Sequence, residues 1–150
     1  DILVISAAYL PTLTPVTQIE PKQFNQAITT NILATQVLLA AFDALLKRSG
    51  HGRVIGITSS VGAKPRAFWA AYGATKATFE SLLDSYAQEV EKIGGVKVAI
   101  VDPGATRTTM RAKAYPGEDP QTVKEAQVVG RKIAELLQQD FPTMHRMRVD

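Results

Sequence analysis

The sequence contains no cysteine and only two histidines among its 150 residues. The absence of cysteine excludes disulfide bonds and thiolate metal sites, and it is typical of a reducing compartment, so we expect a cytoplasmic protein. His51 and His145 are far apart in the sequence, which argues against a histidine-based metal centre. We therefore predict that the protein holds no metal.

Runs of like charge and long apolar runs are also missing. The net charge of +3 comes from 17 basic and 14 acidic residues, which are scattered along the chain. Without a cluster of Lys and Arg, the basic pI of about 9.3 gives little support for nucleic-acid binding. No apolar stretch is expected to reach the roughly 20 residues that a membrane span requires. Neither nucleic acid nor a membrane is an expected partner.

What the sequence does contain is an alternation of strand and helix patterns. Continuous apolar runs, typical of parallel strands covered on both faces, occur at 2–6, 53–60 and 96–101, and a final short strand is expected at 144–149. Helical periodicity covers 22–48, 68–93 and 121–139. The predicted buried stripe of the first of these helices consists of Phe24, Ile28, Asn31, Thr35, Leu38, Phe42 and Leu45. This βαβαβαβ order predicts an α/β fold with a parallel sheet and helices packed on its faces. Residues 106–120, rich in Pro and Gly, are expected to form an irregular flap.

Tyr72 and Lys76 lie four residues apart near the start of the second long helix pattern, which places them on one helical face. That face continues as an apolar stripe through Phe79, Leu83, Tyr86 and Val90. An ammonium on a buried stripe is costly unless a neighbour needs its charge. A cation beside a phenol is expected to lower the pKa of the phenol toward the range of a proton-transfer group. The alternative is a lysine that reaches out to solvent from the edge of a core.

Small and polar residues gather where the predicted strands end. They are Ser6-Ala7-Ala8, Thr58-Ser59-Ser60 and Pro103-Gly104. Ligands of open α/β sheets bind beyond the carboxyl ends of the strands. The sequence therefore predicts a binding site at this edge, beside Tyr72 and Lys76.

These segments together resemble the classical short-chain dehydrogenase/reductase family, in order and over essentially the whole chain. Tyr72-Gly-Ala-Thr-Lys76 is similar to the YxxxK motif of that family, and Ser59 precedes the tyrosine by the usual thirteen residues. Asn31, in Thr-Asn-Ile-Leu-Ala, is similar to the helix asparagine, and Pro103-Gly104-Ala-Thr-Arg-Thr is similar to the PG motif. In appearance the chain is closest to the YciK-like bacterial branch.

The resemblance implies a Rossmann-like, doubly wound parallel sheet and an oxidoreductase that interconverts an alcohol and a carbonyl by hydride transfer with NAD or NADP. Tyr72 would be the general acid/base. Lys76 would lower the pKa of Tyr72 and bind the nicotinamide ribose. Ser59 would donate a hydrogen bond to the developing alkoxide, and Asn31 would hold a water that relays protons.

The cofactor-binding residues implied by the resemblance are Ser6, Ala7, Ala8, Tyr72, Lys76, Pro103, Gly104, Thr106 and Thr108. For several of these positions a purely structural interpretation stays open. Ser60 could replace Ser59, and Asn31 could be a buried amide satisfied by backbone. Thr106 and Thr108 could serve only the turn after Pro-Gly.

The sequence departs from the family pattern in two places. Ile5-Ser6-Ala7-Ala8 stands where the family usually has Asn-Asn-Ala-Gly, and the glycine-rich phosphate-binding turn is absent. We therefore expect residues 1–150 to be one domain, the C-terminal catalytic part of such a dehydrogenase. It would have about four strands and three to four helices, would lack the N-terminal βαβ half, and would be inactive alone. The alternative function is a non-catalytic dinucleotide-binding sensor or scaffold.

The resemblance to the family also implies partners. Relatives in the family commonly pair two long helices across a two-fold axis, so we expect a homodimer or homotetramer. The substrate would be a small carbonyl or alcohol. Cations expected near the site could favour an acidic substrate or could be solvated loop charge; these are Arg66, Arg107, Arg111 and Lys113.

Overall fold

The structure, a computed structural model, describes all 150 residues and contains a four-stranded sheet in the order β1-β2-β3-β6. Its strands are β1 (Ile2–Ile5), β2 (Gly52–Ile57), β3 (Val96–Asp102) and β6 (His145–Arg148). Every neighbouring pair is parallel. This confirms the predicted Rossmann-like α/β class, because parallel neighbours require crossover connections such as helices.

The helices alternate with these strands. They are α1 (Pro21–Ile28), a π-helical turn (Thr29–Leu33), α2 (Ala34–Ser49), α3 (Ser60–Ala63), α4 (Ala70–Glu91), α5 (Thr109–Ala114) and α6 (Ala126–Leu137). Short 3₁₀ turns occupy Val16–Gln18 and Pro120–Thr122. A separate two-residue ladder joins β4 (Thr106–Arg107) to β5 (Lys124–Glu125).

Strands β2 and β3 are covered on both faces, which explains their continuous apolar runs, whereas Ile2 and Val4 on one face of β1 are exposed. One face packs against α2 and α4 through a cluster that includes Leu39, Leu46, Val54, Phe79, Leu83 and Val98. The other face packs against α6 through Ile55, Ala99, Val101, Val129 and Leu136. Alternate residues of β2 and β3 therefore enter different cores.

α1, the π turn and α2 form one continuous helix. The carboxylate of Glu20 caps its start by accepting hydrogen bonds from the N–H groups of Lys22 and Gln23 at 2.9 and 2.6 Å. Gly50, with a φ of 71°, ends it in the left-handed conformation.

The π turn was not expected, and it corrects the predicted stripe of this helix. Thr35 is buried as predicted, but the next buried residues are Leu39 and Leu46, whereas Phe42 and Leu45 are exposed. A π turn holds more residues than an α turn, so every residue after it is rotated relative to the regular period. The predicted stripe therefore fails in α2, downstream of the irregularity.

The same helix corrects the expectation about apolar stretches. Pro21–Ser49 spans 29 residues, and its most apolar 18-residue window has a mean hydropathy of 1.4, so by length and composition it could cross a membrane. Only 17% of that window is buried within the chain. The buried positions include Asn31 and Thr35, which face α4, and Leu39 and Leu46, which join the core.

The flap over 106–120 is more regular than predicted, since it contains β4 and α5. The Thr108 side chain caps α5 by accepting a hydrogen bond from Arg111 N at 3.1 Å. The last long helix begins at Ala126, later than expected, because β5 pairs with β4 immediately before it. Strand β2 ends at Ile57, since Ser60 already starts α3.

Candidate active site

A cavity of about 470 Å³ opens at the carboxyl ends of β1, β2 and β3, the edge that the sequence predicted. Among the predicted site residues, those that line it are Ser6, Ala8, Ser59, Tyr72, Lys76, Pro103, Gly104, Thr106 and Thr108. Ala7 and Asn31 do not line it. The structure therefore brings most of the predicted site together around one space.

Helix α4 holds Tyr72 and Lys76 on its buried face. Their exposed fractions are 6% and 2%, and the rest of the predicted stripe is buried as well. Lys76 Nζ donates a hydrogen bond to the Ile57 carbonyl at 2.8 Å and lies 5.8 Å from the centroid of the Tyr72 ring. The alternative of a lysine that reaches solvent is therefore wrong.

Burial dominates the acid–base properties of this pair. It lowers the pKa of Lys76 to about 8, although the negative charge of Glu80 acts in the opposite direction. Burial, together with the charge of Asp102, raises the pKa of Tyr72 to about 12. The expected lowering of the Tyr72 pKa is absent here, because the ammonium is hydrogen-bonded to Ile57 and not to the phenol.

Ser59 follows β2 and is the N-cap of α3, with extended backbone at φ −158°. Its hydroxyl does not cap that helix, and the residue lines the same cavity as Tyr72 and Lys76. Ser60 is the first residue of α3 and is not part of this lining. Of the two serines, the structure places Ser59 beside the phenol and the ammonium.

Asn31 lies in the π turn behind the cavity. Its Oδ1 accepts a hydrogen bond from Tyr9 N at 2.7 Å, while Nδ2 donates to Tyr9 O at 3.0 Å and to Thr75 Oγ1 at 2.8 Å. Thr75 Oγ1 in turn donates to the Tyr72 carbonyl at 2.8 Å. The Asn31 side chain thus ties the segment after β1 to the first turn of α4 and makes no hydrogen bond to Lys76. Its role in a water relay stays a prediction.

The Pro-Gly turn follows β3. Gly104 has a φ of 61°, and a Cβ there would lie 2.7 Å from the Val149 carbonyl oxygen, so both backbone and space require glycine. Asp102 Oδ1 accepts a hydrogen bond from Gly104 N at 2.9 Å, and Thr106 Oγ1 donates to Pro103 O at 2.9 Å. The Thr106 hydroxyl therefore stabilises the turn after β3, as the structural interpretation expected, and the residue also lines the cavity.

Helix α4 also holds the end of β2 from a second position. Glu80, one turn after Lys76, accepts a hydrogen bond from Thr58 Oγ1 at 2.6 Å, and its other oxygen accepts one from Arg146 Nη1 at 2.6 Å. Lys76 and Glu80 therefore hold Ile57 and Thr58, the two residues that precede Ser59. The position of Ser59 is fixed by contacts on the buried side of the strand end.

The other wall of the cavity is formed by Leu10, Trp69, Met110, Arg111 and Ala114, together with Asp102. Of these residues only Arg111 was expected near the site, as one of four cations. Leu10 lies in a loop without periodicity, and Trp69 falls at the start of the helical pattern over 68–93, which does not mark a site residue. Asp102 could have been found from its place directly before Pro-Gly at the end of a strand.

The donors around the cavity fit the sugar and phosphate groups of a dinucleotide. The Lys76 ammonium has three N–H donors and uses one, on Ile57 O, which leaves two for vicinal hydroxyls. The Thr106 and Thr108 hydroxyls lie on the same lining. A buried cation with unused donors is an observation that a bound ribose would explain.

Comparisons with known proteins agree with this geometry. A family model described as short chain dehydrogenase matches residues 1–119. The uncharacterized oxidoreductase YciK of Escherichia coli strain K12 is 36% identical over 119 residues, which cover 79% of this chain and 46% of that protein. The chain thus spans about half the length of the curated relatives it matches.

Solved structures show the same relationship. A short-chain dehydrogenase of Shigella flexneri complexed with NADP superposes with a TM-score of 0.93 at 31% identity, over 99% of this chain and 62% of the other. A similar protein of Escherichia coli CFT073 complexed with NADPH gives a TM-score of 0.90 at 32% identity, over 99% of this chain and 62% of the other. The family match, the parallel sheet and the cavity at its edge agree with one another, and the chain belongs to the short-chain dehydrogenase family.

Proposed function

We propose that this chain carries the acid–base site of an NAD(P)-dependent oxidoreductase that interconverts an alcohol and a carbonyl. The observation that carries the proposal is the convergence of a phenol, an ammonium and a hydroxyl on one cavity, from Tyr72, Lys76 and Ser59. Tyr72 and Lys76 come from one helix and Ser59 from a separate strand end.

In the reducing direction, the carbonyl carbon accepts a hydride and the carbonyl oxygen accepts a proton. A bound nicotinamide supplies the hydride. Tyr72 supplies the proton, since a phenol whose pKa is about 12 is protonated at neutral pH. The Ser59 hydroxyl donates a hydrogen bond to the oxygen as negative charge develops on it.

Lys76 would hold the cofactor through its two unused donors. Two similar structures are complexed with NADP or NADPH, which supports a nicotinamide dinucleotide as the ligand. The small side chains of Ser6 and Ala8 and the hydroxyls of Thr106 and Thr108 complete the lining on which it would lie.

The test is to replace Tyr72 by Phe in the full-length protein and to measure NADPH oxidation with a panel of ketones and aldehydes. Loss of the proton donor is expected to lower kcat by about 100-fold or more, since general acid catalysis contributes about 10²–10⁴-fold. Tyr86→Phe is a matched control, because Tyr86 is on the same helix and its hydroxyl donates to Asp43 away from the cavity. Unchanged turnover in Tyr72→Phe removes Tyr72 from the mechanism.

A non-catalytic dinucleotide sensor is the second candidate. One observation favours it, namely that the pKa of Tyr72 is raised and not lowered. Titration calorimetry with NADPH separates the two functions. Binding without turnover of any carbonyl or alcohol supports the sensor, whereas turnover that depends on Tyr72 excludes it.

We further propose that the protein assembles as a homo-oligomer through α2. Large apolar side chains on α2 are exposed, including Val37, Phe42 and Leu45 at 60%, 41% and 51%. Adjacent apolar residues of this size on one helix favour a protein interface. The cytoplasmic location and the absence of nucleic-acid partners stay predictions.

A further inference from the structure

The wall of the cavity beside Tyr72 is apolar and is contributed by three separate segments. Tyr72 belongs to a cluster with Leu10 and Val61. Met110 of α5 and Trp69, which precedes α4, pack against that cluster. A substituent bound next to the Tyr72 phenol would therefore contact hydrocarbon and ring surface.

Trp69 is the centre of an aromatic group. Its ring meets that of Tyr72 edge-on, with centroids 6.1 Å apart and planes at 65°. The ring of Tyr115 lies 5.9 Å from that of Trp69. Edge-to-face and offset rings at these separations are mutually stabilising, and they extend the aromatic surface beside Tyr72.

The cations near this wall are already paired. Arg111, which lines the cavity, donates two hydrogen bonds to the Glu118 carboxylate, from Nε at 2.7 Å and from Nη2 at 2.6 Å. Its guanidinium also lies 3.7 Å from the centroid of the Tyr115 ring. A bidentate pair of this kind neutralises the guanidinium and fixes its plane.

The remaining cations near this wall also make hydrogen bonds within the chain. Lys113 Nζ donates to the Leu10 carbonyl at 2.8 Å, and Arg66 Nη1 donates to the Tyr115 hydroxyl at 2.9 Å. Arg107 donates to the Pro120 carbonyl from Nε at 2.9 Å. None of these three lines the cavity. The wall therefore offers a carboxylate no free partner.

The other charges at the cavity are Asp102 and Lys76. Asp102 is paired, since its Oδ2 accepts a hydrogen bond from Arg148 Nη1 at 3.1 Å. Lys76 donates to the Ile57 carbonyl, and the proposed cofactor ribose would take its two remaining donors. With the cofactor bound, burying an anionic substituent against this wall would cost desolvation energy without a compensating partner.

We propose that this site selects an uncharged carbonyl compound whose substituent is bulky and apolar, an aryl ketone foremost, and that Trp69 determines this selection. The proposal rests on the proposed function, because Tyr72 marks the end of the cavity where the carbonyl oxygen would lie. If the proposal is right, the four cations expected near the site do not select an acidic substrate, because each already makes a hydrogen bond or an ion pair within the chain.

The test uses the fact that Trp69 is the only tryptophan of the chain. Its indole N–H gives a single resonance in a ¹H–¹⁵N NMR spectrum, which reports ketone binding without turnover when NADP⁺ is present to occupy the Lys76 donors. Acetophenone and 4-acetylbenzoate are matched probes that share the aryl ketone and differ by one carboxylate. Acetophenone is expected to shift the indole resonance saturably, and 4-acetylbenzoate is expected to bind at least tenfold more weakly. Equal or tighter binding of 4-acetylbenzoate overturns the proposal, as does a lack of saturation with acetophenone.

A charge variant tests the pairing directly. Glu118→Gln removes the carboxylate that neutralises Arg111, so it should strengthen 4-acetylbenzoate binding about tenfold and leave acetophenone nearly unchanged. Glu125→Gln is the matched control, because Glu125 pairs with Arg107 at 3.6 Å and does not line the cavity. If the ratio of the two affinities is the same in both variants, Arg111 does not face the ligand and the electrostatic part of the proposal is wrong.

A size variant tests the role of Trp69. Trp69→Leu should weaken acetophenone binding at least fivefold by calorimetry. Circular dichroism checks that the variant is folded. Unaltered acetophenone affinity in a folded variant removes Trp69 as the selecting residue.

The outcomes for selectivity and for catalysis are separable. Selective acetophenone binding without turnover in any assay would leave the selectivity proposal intact and overturn the oxidoreductase proposal. Tyr72-dependent turnover that is faster with 4-acetylbenzoate than with acetophenone would support the oxidoreductase proposal and overturn the selectivity proposal.

Discussion

Lys76 has the most unfavourable environment of any charged residue at the site, because it is 2% exposed and makes one hydrogen bond. Burial lowers its pKa from the ordinary 10.5 to about 8, which corresponds to roughly 3 kcal/mol against the charged form in the folded state. Between these two pH values the unfolded chain binds more protons than the folded chain. Stability should therefore rise with pH over this range, since the penalty is fully present below pH 8.

We predict that Lys76→Met abolishes this rise and increases the free energy of unfolding at pH 7. The usable window is pH 8 to 10, because the pKa of Tyr72 is raised to about 12 and its contribution to stability decreases above pH 10. Urea unfolding at several pH values measures the slope. Lys92→Met is the control, since Lys92 is an exposed residue at the end of α4. A slope that survives in Lys76→Met would show that another group produces it.

At the residue scale, the sequence was informative where a motif set the spacing. Tyr72, Lys76 and Ser59 meet at one cavity, because a four-residue helical interval and a strand end place them there. Trp69 was not predicted as a site residue, and Arg111 was expected only as one of four cations near the site. They reach the cavity from a loop and from a short helix, whose positions depend on tertiary contacts that leave no periodic trace.

Between elements, α4 holds the end of β2 through two charged groups, Lys76 and Glu80, and Glu80 is 9% exposed. We predict that Glu80→Gln lowers the free energy of unfolding by about 1–2 kcal/mol, because Arg146 loses a charged partner. The same change should lower the pKa of Lys76 further, since the charge of Glu80 raises it. NMR titration of the lysine Cε resonances measures this pKa. An unshifted Lys76 titration would contradict the prediction, and Glu91→Gln on the same helix serves as the control.

The helix and the strand also approach closely at Gly56. A Cβ at this position would overlap Leu83 Cδ1 and would lie 2.9 Å from Phe79 Cζ. Gly56→Ala is therefore predicted to lower stability by about 1–3 kcal/mol through overpacking.

Gly130→Ala provides the matched comparison within α6. Nothing lies within 4 Å of the added methyl group there, and alanine is favoured over glycine inside a helix by about 0.5–1 kcal/mol. Thermal unfolding of the two variants should move in opposite directions. A Gly56→Ala variant as stable as the parent would mean that α4 can shift away from the sheet.

Helix α4 could be predicted at the element scale because its buried stripe keeps one period from Tyr72 to Val90. Helix α2 could not, because the π turn at Thr29–Leu33 rotates the residues that follow. The turn coincides with the Asn31 contacts to Tyr9 and Thr75, which are long-range and invisible in a local pattern.

For the whole molecule, the exposed side chains of α2 predict self-association. Val37→Glu should convert an oligomer to a monomer, because a carboxylate buried in an apolar interface has no partner there. Light scattering after size-exclusion chromatography measures the mass. Gln36→Glu, at an exposed neighbouring position, is expected to leave the assembly intact. A monomeric parent protein would refute the assembly proposal.

The parallel sheet could be predicted from the sequence because a helix pattern separates each strand pattern from the next, and parallel strands need such crossovers. The two-residue ladder between β4 and β5 could not be foreseen. Strands this short are set by the neighbouring turns and not by their own propensity.

Lys76 and Glu80 anchor the end of β2, so different elements hold the two sides of the proposed site. The proposed proton-transfer groups are anchored to a strand end and a long helix, whereas the wall proposed to meet the substituent is carried by α5 and by Trp69, the residue before α4. Grafting residues 109–120 together with position 69 from a relative should then transfer substrate preference without changing the proposed chemistry. Such modularity would let one ancestral enzyme diversify by exchanging this wall alone.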